Sequence, residues 1–305
     1  MNHDRMLPGA RLRALMDEKC VALPGAYDGM TARAVAAAGF EGCYVSGAAV
    51  SMLAGAPDIG LATLDEFCRV IRVVAEASGL PVIADADTGF GEGEMTVKVV
   101  HEYARSGAGG MHIEDQVFPK RCGHLEGKAL VSIEHMVEKV SRARQASERS
   151  TGGTFIVCAR TDARSVEGLE AAIARAKAYV DAGAEMIFPE GLGSEQEFEA
   201  FAQALRPGGK GAYLLANMTE FGKTPIIPTE RFAAMGYSCV IYPYPTLRLA
   251  MGHAQRLLSA LKRDGHVGAF LDEMQTRDEM YEMLGYQPGT EWAYPGPTGG
   301  PAKPR

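Results

Sequence analysis

The stretch LPVIADAD, residues 80–87, decides the fold. Its apolar, β-branched first half is typical of a buried parallel strand, and GEMTVKVVHEYARSG at 93–107 follows it with apolar residues at helical spacing. The next part of the chain repeats this unit, with GGMHIED at 109–115 before SIEHMVEKVSRARQAS at 132–147. Because parallel strands are joined through crossover helices, the two units predict a parallel sheet.

The same alternation of strand and helix extends outward along most of the chain. Eight segments are predicted to be strands, and a segment with helical periodicity follows each of them. The predicted strands are 20–25, 42–47, 80–87, 109–115, 155–161, 185–190, 212–218 and 239–243. Since an eight-stranded parallel sheet can close on itself, we predict an α/β fold of the (β/α)8 TIM-barrel type. An open, doubly wound sheet is the alternative.

The chain continues past the eighth helix with a further amphipathic segment, VGAFLDEMQTRDEMYEMLGY at 267–286. A barrel already has its full ring of helices, so we expect a C-terminal helical arm, residues 266–288. This arm packs on its own subunit or is swapped onto a neighbour. Residues 1–265 then form the catalytic barrel, and the Pro- and Gly-rich remainder, 289–305, is expected to be a flexible tail.

Composition and charge exclude several classes of protein. The 305 residues carry a formal net charge of -7, so there is no general basic field to hold nucleic acid. No apolar run approaches the roughly 20 residues of a membrane helix, and the amino terminus lacks the apolar core of a signal peptide. The six cysteines have neither zinc-site spacing nor the density of a disulfide scaffold. We therefore expect a cytoplasmic protein with reduced thiols.

Reactive groups of such a barrel lie at the carboxyl ends of its strands and in the loops that follow. Polar residues occupy these positions in nearly every predicted strand: Tyr44, Ser46, Gly47, Asp85, Asp87, His112, Glu114, Arg160, Glu190 and Asn217. The predicted active site is therefore one end of the barrel.

The motif ADAD at 84–87 indicates a metal site. Asp85 and Asp87 are two apart, so on a strand both side chains would leave the same face, and Glu114 ends the neighbouring strand. Asp58, in GAPDIG, could add a fourth carboxylate. Converging carboxylates raise one another's pKa unless a cation is present, and hard oxygen ligands select Mg2+ or Mn2+. The alternative is that one or two of these acids cap helices or pair with arginine.

Arg160, in the motif ARTDA, ends the fifth predicted strand. A guanidinium group is well suited to bidentate recognition of a substrate carboxylate. The alternative is a structural ion pair with Glu190 or Asp162, and the two interpretations are compatible.

The motif KRCGH at 120–124 places the thiol of Cys122 among cations and an imidazole. These neighbours would stabilise a thiolate or hold a nearby anion. The motif lies in the long loop after the fourth strand, residues 116–130, which we call the lid. We expect the lid to bring an acid or base over the site on closure. A zinc site on Cys122 and His124 is disfavoured, because no further soft ligands have matching spacing.

Nine motifs together resemble a known enzyme group. YVSG, PDIG, ADADTGFG, HIEDQ, PKRCGH, ARTDA, FPE, ANMTEFG and MQTR occur in this order over residues 20–285. They are similar to those of the isocitrate lyase and phosphoenolpyruvate mutase superfamily, and in particular of its 2-methylisocitrate lyase branch. KRCGH marks the carbon–carbon lyases of that superfamily, and MQTRDEMYEMLGY favours the 2-methylisocitrate lyase branch.

The resemblance implies a metal site and a substrate site. Around Mg2+, mostly through waters and with Asp87 as the direct ligand, it places Asp58, Asp85, Asp87 and Glu114. Around a di- or tricarboxylate substrate it places Ser46, Gly47, Ala48, Gly123, His124, Arg160, Glu190, Asn217, Thr219 and, from the arm, Arg277. It further implies that Cys122 is the proton donor and that Tyr44 assists removal of the hydroxyl proton. Lys120 and His124 are the other catalytic groups.

The implied reaction is a retro-aldol-type cleavage of 2-methylisocitrate to pyruvate and succinate, a step of propionate catabolism through the methylcitrate cycle. Mg2+ would stabilise the keto-acid product, and Cys122 would protonate the other fragment. The resemblance also implies a homotetramer in which the C-terminal helix is swapped between subunits.

Two features leave the exact substrate open. The stretch SGAAVSM at 46–52 has Ala48 and Ala49 where the branch usually has glycines, and PKRCGHLEGK also resembles the dimethylmalate lyase and oxaloacetate hydrolase branch. A related lyase or hydrolase acting on 2,3-dimethylmalate, oxaloacetate or isocitrate is therefore an alternative. An alternative of another class is a barrel that binds a dicarboxylate without turnover.

Overall fold

The structure, a computed structural model, describes residues 6–123, 125 and 127–294. The strands within these residues are β1 Val21–Pro24, β2 Cys43–Val45, β3 Val82–Asp85, β4 Ala108–Glu114, β5 Ile156–Thr161, β6 Met186–Pro189, β7 Tyr213–Asn217 and β8 Cys239–Tyr242. The α-helices are α1 Pro8–Glu18, α2 Gly29–Ala37, α3 Gly47–Leu53, α4 Leu64–Ser78, α5 Glu94–Arg105, α6 Ile133–Thr151, α7 Leu169–Asp181, α8 Glu195–Leu205, α9 Thr229–Ala234, α10 Pro245–Asp264 and α11 Arg277–Met283. Short 3-10 helices lie at Ala163–Ser165, Pro207–Gly209 and Gly268–Glu273.

The strands form a parallel barrel, as the sequence predicted. Their order in the sheet is β1-β8-β7-β6-β5-β4-β3-β2, and every strand pair is parallel. β1 and β2 meet at a parallel bridge between Gly25 and Tyr44, where the Ala26 amide donates to the Tyr44 carbonyl at 2.9 Å. This bridge brings the two edges of the sheet together. Because all strand pairs are parallel, the carboxyl ends of all eight strands face the same side of the barrel.

The barrel has an inner and an outer apolar layer. The inner cluster contains Leu23, Ile83, Ile156, Met186 and Leu215, one from each of five strands. The outer clusters join the remaining strand residues to the surrounding helices. Successive strand residues point to opposite faces, so each short strand contributes side chains to both apolar layers. These two layers form the framework that supports the site residues at the strand ends.

Two helices lie where no helix was predicted. α1 packs across the amino-terminal end of the barrel, where Leu12 and Met16 join the inner cluster. α3 begins directly after β2, and its residues Gly47 to Ser51 are buried. α3 has seven residues, too few for helical periodicity to be visible in the sequence.

The segment after α10 also differs from the prediction of one continuous amphipathic stretch. It forms a 3-10 helix at Gly268–Glu273 and a separate helix, α11. The break occurs because Thr276 starts a new helix through a capping box, in which its side chain and that of Glu279 bind each other's backbone amides.

The helix α10 is unusual in its exposure. Only Ala260 of its 20 residues is buried, whereas Leu249, Met251 and Leu258 are more than half exposed. Over the residues that the structure describes, no helix is both long enough and apolar enough to cross a membrane.

Gly9 provides a test of how α1 closes the barrel. A Cβ atom there would lie 2.0 Å from the Thr154 carbonyl oxygen and 2.5 Å from that of Gly109. We expect Gly9→Ala to lower the free energy of unfolding in urea by about 2 kcal/mol, because backbone must move to admit the methyl group. The control is Gly252→Ala in α10, where a Cβ meets no atom within 4 Å. It should be neutral or stabilising by up to about 1 kcal/mol. Equal effects of the two substitutions would contradict this packing.

Candidate active site

The carboxyl ends of the strands surround a cavity of about 210 Å³. The predicted residues that line it are Tyr44, Ser46, Ala48, Asp58, Asp85, Cys122, Gly123, Arg160, Glu190, Asn217 and Thr219. Pockets for drug-sized ligands occupy roughly 300–1,000 Å³, so this cavity suits a small organic acid. The structure therefore brings most of the predicted site residues together.

Two aspartates meet at the edge of this cavity, but not as predicted. β3 ends at Asp85, and Asp87 lies beyond it with a φ of +46°, so the prediction that both leave one face of a strand is wrong. Instead, the Asp87 amide donates to Asp85 Oδ1 at 2.9 Å in a turn. A Cβ on Gly47 would lie 2.8 Å from Asp85 Oδ2 and 3.0 Å from Asp87 Oδ1. Both carboxylates therefore lie against Gly47, and a side chain at this position would have to displace them.

The Lys120 ammonium balances part of this negative charge. It pairs with Asp58 and with Asp87 Oδ1, the latter at 2.8 Å, and its side chain is buried. Burial favours the neutral amine, but the surrounding carboxylates, Glu114 and Asp87 foremost, raise the Lys120 pKa well above its usual value. The lid is thus attached by charge to the carboxylates at the barrel end.

Glu114 forms an ion pair with Arg160 but has hydrogen-bonding capacity that the described residues do not use. It is 1% exposed, and within the described part of the chain neither of its oxygens accepts a hydrogen bond. Burial raises the Glu114 pKa well above its usual value, and burial together with Asp85 raises that of Asp87 to about 7. A hard cation would stabilise the ionised form of both groups, so this donor set fits Mg2+.

The protein side chains alone do not form a complete metal cage. Among the described residues, no three Asp, Glu, His or Cys side chains are close enough together to hold a metal ion. Mg2+ commonly keeps several waters and takes only one or two carboxylates from the protein. The geometry is therefore compatible with a site completed by water or substrate oxygens.

Arg160 is held by three carboxylates at the end of β5. Its Nε donates to Asp162 Oδ2 at 2.9 Å and its Nη2 to Asp162 Oδ1 at 3.1 Å. Glu114 lies 3.2 Å from Nη1, and Glu190 lies 3.5 Å from Nη2. Asn217 in turn donates to Glu190 at 3.3 Å. The structural ion pair and the cavity position therefore coexist, and Asp162 fixes the guanidinium plane.

Tyr44 forms a buried hydrogen-bonded pair with His112. The Tyr44 hydroxyl lies 2.7 Å from His112 Nε2, and His112 Nδ1 lies 3.6 Å from Asp85 Oδ1. Burial raises the Tyr44 pKa well above its usual value and lowers that of His112 to about 4. At neutral pH the Tyr44 phenol at the cavity is therefore protonated, and the His112 imidazole behind it is neutral.

The lid is tied at its base and lies over the cavity. The Val117 amide donates to the Ala129 carbonyl at 2.8 Å, while the Gln116 side chain binds both the amide and the carbonyl of Arg121. Cys122 is half-buried and lines the cavity. The predicted catalytic residue His124 lies outside the described residues. All six cysteines are described, and none forms a disulfide.

Gly123 brings the lid backbone into contact with the barrel end. A Cβ there would lie 2.5 Å from Arg160 Nη2 and 2.5 Å from Glu190 Cγ. The lid can therefore lie this close to the two residues only with glycine at this position.

Arg277 is the predicted residue that the structure does not bring to the site. It begins α11, is exposed, and is not part of the cavity lining in the described chain. α11 instead packs against α2 on the outside of the barrel.

Several lining residues escaped prediction. Arg248, in the first turn of α10, donates to the Tyr244 hydroxyl at 2.8 Å and pairs with Glu220 at 3.2 Å. Phe188 and Phe221 add apolar surface to the same cavity. The rule that site residues follow the strand ends, applied to β8, would have found Tyr244, which lies between β8 and α10, and Arg248 in the first turn of that helix.

Asp115 organises the layer behind the site. Its Oδ2 accepts from the hydroxyls of Thr161 at 2.7 Å and Tyr179 at 2.8 Å, and its Oδ1 accepts from the Asp162 amide at 2.9 Å. These bonds fix the end of β5, and with it the Asp162 carboxylate that holds Arg160.

Comparison with known proteins places the chain in a family. The model of the family described as phosphoenolpyruvate phosphomutase matches residues 12–262, and the chain belongs to this family. A relative named probable 2-methylisocitrate lyase 1, from Corynebacterium glutamicum, is 48% identical over 265 residues, which cover 87% of this chain and 85% of the relative. The predicted superfamily membership is confirmed.

Solved structures agree with this assignment. The crystal structure of a 2,3-dimethylmalate lyase is 37% identical, covers 92% of both chains and has a TM-score of 0.84. An oxaloacetate acetylhydrolase bound to 3,3-difluorooxalacetate is 35% identical, with a TM-score of 0.84 over 91% of this chain and 93% of that one. A phosphonopyruvate hydrolase in complex with oxalate and Mg2+ is 27% identical, with a TM-score of 0.80 over 92% of this chain and 95% of that one.

Asp115→Asn tests the layer behind the site. The amide would place a donor against groups that already donate, so we expect the free energy of unfolding to fall by about 3 kcal/mol. Urea unfolding followed by circular dichroism measures the change. The control is Asp181→Asn at the exposed end of α7, expected to stay within about 0.5 kcal/mol of the parent. A loss below about 1 kcal/mol in Asp115→Asn would contradict the network.

Proposed function

We propose that this protein is a Mg2+-dependent carbon–carbon lyase that cleaves 2-methylisocitrate into pyruvate and succinate. One observation carries the proposal: the lid thiol of Cys122 lines the same small cavity as Arg160, Tyr44 and Asp85. The Cys122 thiol faces both Arg160, a cation suited to bind a carboxylate, and the carboxylates that could hold a metal ion. It is therefore suited to protonate a carbanion formed from a substrate with several carboxylates. The relative named probable 2-methylisocitrate lyase 1 supports the choice of substrate.

The residues divide the proton transfers between two sides of the cavity. On one side, the substrate hydroxyl would give its proton to the Tyr44 oxygen while the phenol proton passes to His112 Nε2, 2.7 Å away. The C–C bonding electrons move to the carbon next to a carboxylate in the fragment that becomes succinate, and the fragment that carried the hydroxyl becomes the keto acid pyruvate. On the other side, Cys122 Sγ supplies the proton that this carbon needs. Protons therefore balance, with one gained at His112 and one lost at Cys122.

The cations and polar groups around the cavity would bind the substrate. Arg160 is the proposed partner of one substrate carboxylate, and Arg248 lines the cavity as a second cation. Ser46, Asn217 and Thr219 offer hydrogen bonds, while Gly47, which has no side chain, leaves room at the start of α3. Two cationic partners suit a substrate with several carboxylates.

Asp85, Asp87 and Glu114, with Asp58 nearby, are the groups that would hold Mg2+. When bound, the ion would supply positive charge to the oxygens of the keto acid. Mn2+ prefers the same oxygen ligands and is an alternative. Lys120 pairs with Asp58 and Asp87, so it would compete with the ion for these carboxylates and help to hold the lid over it.

A second candidate function is the cleavage of 2,3-dimethylmalate, oxaloacetate or isocitrate. Ala48 is the feature that favours it, because this methyl group lines the cavity and reduces the space for a large acid. The similarity to solved structures of a 2,3-dimethylmalate lyase and an oxaloacetate acetylhydrolase points the same way.

We further propose a cytoplasmic homotetramer in which residues 266–288 form an arm swapped between subunits, next to the barrel of residues 1–265. The exposed apolar residues of α10 support an association of subunits. Swapping would exchange the contact of α11 with α2 of its own barrel for a contact with a neighbour, and would give Arg277 access to that neighbour's cavity. Mass measurement by light scattering tests this, and a monomer would contradict it.

The experiment that tests the proposed function is an assay of the purified protein with Mg2+ against four acids, with products identified by mass. Pyruvate and succinate from 2-methylisocitrate alone are the expected result. Turnover only of 2,3-dimethylmalate, oxaloacetate or isocitrate would select the second candidate. Tight binding of succinate with no turnover of any acid would overturn both and leave a barrel that only binds dicarboxylates.

Cys122→Ser tests the proton donor. A hydroxyl is a much weaker acid than a thiol, so we expect turnover to fall at least about 100-fold while the thermal midpoint is unchanged. Cys20→Ser is the control, since Cys20 is also half-buried but does not line the cavity. Near-normal turnover in Cys122→Ser would refute the assigned role.

Glu114→Gln tests the metal site without relying on turnover. Loss of one buried negative charge should weaken Mn2+ binding by about 10- to 100-fold, measured by the electron paramagnetic resonance signal of free Mn2+. Glu167→Gln, which removes a carboxylate paired with Arg175 on α7, should bind Mn2+ like the parent. If Glu114→Gln keeps the parent's affinity, Glu114 is not part of a metal site.

A further inference from the structure

Lys128 is a buried cation that the proposed mechanism does not use. It lies near the end of the lid, its side chain is 1% exposed, and it does not line the cavity. Its Nζ donates to the Gly123 carbonyl oxygen and pairs with Asp162 Oδ1 at 2.8 Å. One ammonium group therefore joins the lid backbone next to Cys122 to a carboxylate of the barrel.

Asp162 is also the residue that holds Arg160. Its Oδ1 is shared by Lys128 Nζ and Arg160 Nη2, and its Oδ2 accepts from Arg160 Nε. Burial raises the Asp162 pKa, but the charges of Arg160 and Lys128 outweigh it and lower the value to about 2. The carboxylate is thus ionised at neutral pH and binds both cations.

The contacts form a continuous path from the lid to the substrate-binding cation. It runs from the Gly123 carbonyl through Lys128 and Asp162 to Arg160. On the other face of the lid backbone, Gly123 lies so close to Arg160 and Glu190 that a Cβ would clash with both. Lys128 therefore acts on the lid residue whose backbone lies against Arg160 and Glu190.

We propose that Lys128 is a positioning residue that fixes the lid over the cavity and thereby sets the place of Cys122 relative to Arg160. Its effect on turnover rests on the proposed function, whereas its effect on the lid does not. Lys128 acts through Gly123 and Asp162 and does not contact the reacting atoms.

Lys128→Met is the direct test, because it keeps most of the unbranched side chain and removes the ammonium group. Asp162 keeps two hydrogen bonds from Arg160, so the fold is expected to persist. The matched control is Arg164→Met, which removes a cation two residues from Asp162 that pairs with Glu197 of α8. If Lys128→Met does not fold, Lys128→Gln takes its place with the same expected result.

The primary measurement is the rate at which iodoacetamide alkylates Cys122 in the substrate-free protein, followed by peptide mass spectrometry. Loss of a charge-assisted hydrogen bond to the lid should raise this rate about tenfold or more. Cys20 is half-buried and outside the lid, so its rate is the internal reference and should not change. Arg164→Met should match the parent at both cysteines.

Kinetics supply the second readout. We expect Lys128→Met to lower kcat about tenfold or more and to change KM less than about threefold, because Arg160 keeps its partner Asp162.

Unchanged alkylation of Cys122 in Lys128→Met would overturn the inference. An equal increase in the alkylation rate of Cys20 would also overturn it, because it would show that the substitution loosens the whole protein and not the lid alone. A parent protein without lyase activity would overturn the proposed function, and the alkylation ratio would still decide the role of Lys128.

Discussion

The structure depends on the neutralisation of buried carboxylates at the carboxyl end of the barrel. Asp85, Asp87, Glu114 and Asp162 lie there almost without solvent. Unpaired burial of such charges costs several kcal/mol per ion, so each must be paired, protonated or bound to a cation. Lys120, Arg160 and Lys128 provide part of the positive charge. The position of the lid follows from this requirement, because two of the three cations belong to it.

This charge arrangement links stability to chemistry. Asp162 accepts three hydrogen bonds from two cations, so its charge is paired within the protein and it fixes the geometry of Arg160. Glu114 and Asp87 are less well matched, and their pKa values are raised. The barrel thus separates carboxylates that build the site from carboxylates that can accept a metal ion. Asp115 supports the first group by fixing the backbone of Asp162.

The sequence was sufficient to predict the barrel, because eight strand and helix units with clear periodicity admit few topologies. It also located the site, since the carboxyl-end rule selects residues such as Glu114 and Arg160 without knowledge of side-chain contacts. It could not give the turn at Asp87, where a positive φ occurs together with a hydrogen bond from the Asp87 amide to the Asp85 side chain. Nor could it reveal that Lys128 and Arg160 share one oxygen of Asp162, because 34 residues separate Lys128 from that carboxylate.

The central claim is that one bound acid lies between the carboxylates at the barrel end and the lid thiol. A crystal structure of the protein with Mg2+, pyruvate and succinate tests it most directly. The account predicts a cation beside Asp87 and Glu114, with pyruvate next to it and Cys122 Sγ about 3.5 Å from a methylene carbon of succinate. A cation elsewhere, or a Cys122 thiol turned away from succinate under a closed lid, would contradict it.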